Sequence, residues 1–147
     1  MYSLFLENNC NTKIIPSHLL TQKLCIRAIE TDWKALEDIP TRMKTKEVCD
    51  MAFKKNPSAY EFIPDDMKTK DMSDTAVESN GKMIEHVPDD MRTQDMYLKA
   101  VQSDAHVFTI VPDEMKTKEM CKIATEYDHN MVGFLPQDYY NCNLKST

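Results

Sequence analysis

Six prolines, Pro16, Pro40, Pro64, Pro88, Pro112 and Pro136, recur every 24 residues along the chain. Each sits in a similar setting: Ile, Val or Leu before it, two residues after it, then Met followed by Lys or Arg in four of the six, and Thr at the next place in five. A constant step of this length means stacked copies of one small unit, in which each copy buries its apolar face only against its neighbours. The expectation is one all-α domain over residues 1–147, an α-solenoid of about six two-helix repeats. Residues 1–15 are read as a degenerate half repeat, 16–135 as five full repeats and 136–147 as a truncated one.

Numbering each unit from its proline exposes the invariant columns. Position four is Leu19, Met43, Met67, Met91, Met115 and Tyr139; position six is Thr in the five full units; position nine is Leu24, Val48, Met72, Met96 and Met120. Position thirteen is always Ala: Ala28, Ala52, Ala76, Ala100 and Ala124. Position seventeen is Asp or Asn: Asp32, Asn56, Asn80, Asp104 and Asp128. Thr before an acidic residue in a first turn (Glu47, Asp71, Asp95, Glu119) is a helix start, because the hydroxyl caps free N–H groups and the dipole favours negative charge. Apolar residues at nine, ten, thirteen and fourteen make one inward stripe, which predicts a first helix of about ten residues. The Asp/Asn then ends that helix and caps a second, very short one, which the next proline stops.

A competing reading makes the second element a strand, since "VFTIV" and "AYEFI" are rich in β-formers and 24 residues is a leucine-rich-repeat length. The Asp/Asn column precedes the apolar run here, whereas that pattern places Asn after its strand. Glu37, Glu61 and Glu85 inside the run also suit a helix better.

The stretches "AVESNG" (Ala76 to Gly81) and "KMIEHVPDDM" (Lys82 to Met91), with their equivalents from Ala52 to Met67 and from Ala100 to Met115, resemble a family of tandem helical repeats of unknown function, abundant in giant DNA viruses and scattered through bacteria. The likeness runs from about Pro16 to Leu135. It implies an all-helical array and a large-virus source, and it brings no catalytic residue. Trp33, Pro57, Ala105 and His129 stand where Gly81 does, so a glycine-dependent turn is not general.

Several functional classes lose ground on composition. A formal charge of −6 gives no general attraction to nucleic acid or anionic membranes. No apolar run approaches the roughly 18 residues needed to span a bilayer, and Met1 to Asn11 lacks the pattern of a signal peptide, so a cytoplasmic protein is expected (the host cytoplasm, if viral). With Gly81 and Gly133 the only glycines, there is no phosphate-cradling loop and no nucleophile elbow. His18, His86, His106 and His129 fall in four different columns without ligand spacing. Cys25, Cys49 and Cys121 share position ten, a packing column, while Cys10 and Cys142 lie outside it; reduced structural thiols are expected. The acidic pairs Asp65/Asp66, Asp89/Asp90 and Asp113/Glu114 repeat in register, as a solvated rim would. No catalytic residue, metal or cofactor is expected, and the chain is read as non-enzymatic.

Function in a repeat array belongs where the repeat rule breaks, because shared columns serve the stack. The candidate partner-binding residues are Trp33, Lys54, Lys55, Tyr60, Phe108, Tyr139 and Tyr140, for a protein partner. A basic ladder, Lys44, Lys46, Lys68, Lys70, Arg92, Lys116 and Lys118, is the alternative surface, suited to a nucleic acid or phosphate ligand but flanked by acidic rows that cancel much of its field. The methionine columns are read as a polarizable core rather than a binding groove. Neither end carries an obvious polar cap, which points to self-association or a docked partner.

Overall fold

The computed structural model describes residue 16 and residues 19–139; the expected half repeat at 1–15 lies outside these residues, as does most of the truncated one. The described residues hold helices and no strand, which removes the strand reading. The α-helices are α1 (Gln22–Thr31), α2 (Ala35–Asp38), α3 (Lys46–Lys55), α4 (Lys70–Ser79), α5 (Gln94–Ser103) and α6 (Lys118–Tyr127). The fold is an all-α repeat in which the helices pack in sequence order. Two compact units are present, Met1–Met72 and Ser73–Thr147, divided within α4.

The recurrent motif is a set of local hydrogen bonds. Each repeat proline's carbonyl accepts from the N–H three residues on, as from Met43 (2.8 Å), Met67 (3.0 Å), Met91 (2.9 Å) and Met115 (2.9 Å), making a short 3₁₀ turn that the sequence analysis read only as a rim. The Thr at position six then caps the long helix: the hydroxyls of Thr93 and Thr117 accept from the N–H groups of Met96 and Met120 at 3.3 and 3.2 Å. All five long helices have ten residues, as the spacing predicts.

One residue closes the long helix and opens the next element. Asp104 gives its backbone N–H to the Ala100 carbonyl (2.8 Å) and accepts the His106 N–H on its carboxylate (3.0 Å). Asn56, Asn80 and Asp128 do the same in their repeats. The second element is a six-residue 3₁₀ helix in four repeats, Pro57–Phe62, Gly81–His86, Ala105–Ile110 and His129–Phe134, and a single α-turn, α2, in the first. Its brevity is forced, because the residue before proline must be extended (Ile63 at φ −79°, ψ 131°) and the Asp/Asn cap leaves only six residues before it.

In the first unit α1 packs on α3, and both α2 and Pro57–Phe62 pack on α3. In the second unit α5 packs on α6, while the 3₁₀ helices 81–86 and 105–110 pack on α5 and 105–110 and 129–134 on α6. The cores use the same columns. Position thirteen alanines are at most 1% exposed, and Leu36, Tyr60, Ile84 and Phe108 at position twenty-one are equally buried. The small alanine allows the following layer to approach closely. At Gly81 a Cβ would fall 2.3 Å from the Ala100 carbonyl oxygen, so glycine there serves close packing; its φ is not positive. The methionines divide: Met72, Met96 and Met120 are buried, whereas Met43, Met67, Met91 and Met115 are half-buried at the turn.

Candidate functional site

An open groove of about 740 Å³ lies in the second unit, running along the C-terminal ends of α5 and α6 and the starts of the 3₁₀ helices beside them. It exists because the double-duty cap turns the chain sharply, leaving positions fifteen to eighteen as a ledge. Asp104 is its polar centre. His106 Nδ1 lies 3.2 Å and Lys82 Nζ 3.7 Å from its carboxylate oxygens. The N–H that His106 donates, followed by its ring and Lys82, holds the Asp104 carboxyl below the usual carboxylate range. Ser103 Oγ accepts the Gly81 N–H at 3.2 Å. Tyr127, 66% exposed, stands edge-on to the His106 ring with centroids 5.4 Å apart.

The corresponding ledge of the first unit is differently furnished. Lys55, at position sixteen like Tyr127, gives its ammonium to the Glu30 carbonyl at the end of α1, 2.6 Å away. That carbonyl is one of the last in its helix, which have no intrahelical donor. Lys54 and Lys55 also edge a shallow depression of about 580 Å³ along α3, with Lys46, Glu47, Asp50 and Met51.

The remaining expected site residues are scattered. Trp33 is half-buried, with the Lys34 ammonium 5.8 Å from its ring centre. Tyr139 is half-buried beside a cavity of about 200 Å³ that also touches Lys116 and Cys121. Tyr140 lies outside the described residues. Tyr60 and Phe108 require correction: both are 0% exposed, so neither is a surface anchor. They are core residues of position twenty-one, roofed by the position-five lysine of the next repeat; Lys68 stands 4.8 Å from the Tyr60 ring centre and Lys116 5.0 Å from that of Phe108.

That contact splits the basic ladder. Its position-five members turn inward. The Lys68 and Lys116 side chains are 5% and 6% exposed and pair with Asp65 and Asp113, both at 2.7 Å. Lys44 and Lys116 donate to the Phe62 and Phe134 carbonyls at 2.8 and 2.9 Å. Arg92 reaches the Val87 and Glu85 carbonyls and Asp89. Lys46, Lys70 and Lys118, at position seven, are the exposed members. Lys99, outside the ladder, is held by Glu78 at 3.0 Å and Asp95 at 3.4 Å, and the hydrogen bond to Glu78 leads the rise in its pKa.

The buried thiols are poor nucleophiles. Desolvation raises Cys25 and Cys121 and carries Cys49 up to about 11, against the smaller opposing field of Lys44. Among the described residues no group of His, Cys, Asp and Glu could hold a metal ion, and no helix is long and apolar enough to cross a membrane.

Sequence reasoning missed the groove residues Asp104, His106, Glu126 and Tyr127 as a set. A signal was available in position sixteen, which reads Thr31, Lys55, Ser79, Ser103 and Tyr127, a column with little in common beside the invariant ones.

Two overlapping segments, residues 22–68 and 45–92, match the model of a family described as Domain of unknown function (DUF4116). No curated protein and no solved structure matches the chain.

Proposed function

We propose that this chain is a non-enzymatic helical-repeat scaffold that binds a protein partner, and that the second-unit ledge is its contact surface. One observation carries the reading: most residues shared between repeats are consumed by capping and stacking, while the variable positions fifteen, sixteen and eighteen meet the shared Asp104 cap in an open groove with an exposed aromatic at its edge. Exposed aromatics beside polar groups are favoured interface anchors. The groove mixes carboxylate, ammonium, imidazole and amide groups, as a peptide-recognising surface would. The nucleic-acid alternative is weakened because four of the seven ladder residues are committed within the fold.

In the same reading the chain works in the cytoplasm, and the resemblance to giant-virus repeats makes the partner a host factor or another component of an assembly. A photo-crosslinking residue placed at Tyr127 tests the surface against one placed at Glu114 on the turn rim, in cells expressing the protein. The partner, once purified, must bind the chain and lose affinity when Tyr127 and Glu126 are replaced. Equal crosslinking from both positions, or unchanged affinity in those variants, overturns the assignment.

A further inference from the structure

We propose that the second-unit groove takes a cationic side chain, arginine or lysine, presented by an extended partner segment; the inference rests on the groove being the interaction surface. The first unit supplies the template. There the Lys55 ammonium satisfies the Glu30 carbonyl at the end of α1. The same two columns in the second unit are Tyr127 and Gln102, so the chain itself brings no ammonium from position sixteen to the end of α5. Helix C-terminal carbonyls carry partial negative charge and favour cations.

The surroundings match a cation of this kind. Glu126 and Asp104 line the groove, and Asp104 stays ionised at neutral pH. Tyr127 is 66% exposed, which leaves its ring accessible to a guanidinium or ammonium. Two in-chain ammonium groups oppose the cation: Lys122 lies 3.8 Å from Glu126, and Lys82, its side chain 64% exposed, lies 3.7 Å from Asp104. Such exposed pairs are worth little, so Lys122 and Lys82 are weak in-chain competitors for the site the partner's cation would take.

The experiment titrates the full isotope-labelled chain with Nα-acetyl-arginine methylamide, its neutral citrulline isostere and the glutamate counterpart, following backbone amide shifts. The arginine probe is expected to move Ser103, His106 and Tyr127 and to bind more tightly than citrulline. Tyr127→Ala and, separately, Glu126→Gln should weaken it, the former about three- to fivefold, and Lys82→Gln should strengthen it. Circular dichroism melts confirm that each variant is folded. Equal binding of arginine and citrulline, or no shift in the groove with any probe, overturns the inference. Preference for the glutamate probe, weakened by Lys82→Gln, overturns it too while leaving the groove an interaction surface. Loss of the surface reading itself would appear in the crosslinking comparison, which uses no probe.

Discussion

The two units use one set of buried columns and differ at the ledge. Asn56 in the first and Asp104 in the second end a ten-residue helix and start a 3₁₀ helix in the same way. Tyr60 and Phe108 are both enclosed, and Lys68 and Lys116 cover them alike. At position sixteen the resemblance ends: Lys55 caps a neighbouring helix terminus, whereas Tyr127 is exposed beside an open groove. A repeat fold can vary there because those side chains contribute little to the stack, and function can be written there for the same reason.

The largest expected effect tests the equivalence of the cores. Tyr60→Ala and Phe108→Ala should each cost about 3 to 5 kcal/mol in urea unfolding, because each empties a fully buried aromatic site and removes the ring over which a lysine lies. A cost confined to one unit would break the comparison. Gly81→Ala comes next, at about 1 to 3 kcal/mol, since the added methyl meets backbone rather than a yielding side chain. Gly133→Ala has open space around its Cβ and serves as the neutral control in the same thermal melts.

Removing the double-duty caps should cost less, about 1 kcal/mol each for Asn56→Ala and Asp104→Ala, and similar losses in circular dichroism melts would sharpen the parallel between units. The smallest effects are in pH. Asp65 and Asp104 have folded pKa values below the ordinary range, because of Lys68 and His106 respectively. Their contributions are therefore present above about pH 4 and lost as pH falls through the lowered values. Cys49 runs oppositely: its folded value is raised from 9.0 to about 11, so its contribution is present below pH 9 and lost as pH rises toward 11. Cys49→Ser should flatten the alkaline limb of a stability profile and leave the acid limb, and Asp104→Asn should blunt the acid limb alone.

The parts of the fold legible in the sequence are those decided within a few residues. Thr at position six and Asp/Asn at position seventeen act on N–H groups two or three places away, so the caps and the ten-residue helix could be read directly. The 3₁₀ form of the second helix depends on how many residues fit between that cap and the proline, and it emerged only with the backbone. Tyr60 and Phe108 were misread because their column mixes Leu36, Ile84 and Val132 with aromatics, and their cover comes from position five of the following repeat. The same cross-repeat contact removed Lys68 and Lys116 from the surface ladder. At the ledge, Lys54 and Lys55 stood out as a charged departure, while Tyr127, in the column of Lys55, was not singled out.

The most direct test of the account is Tyr127→Lys, which writes the first unit's ledge residue into the second. The expected result is a thermal midpoint within a few degrees of the parent, together with loss of the groove amide shifts when Nα-acetyl-arginine methylamide is added, because the new ammonium occupies the end of α5. Retained binding of that probe, or a collapse of stability, would contradict the division between a stack that holds the fold and a ledge that is free to recognise.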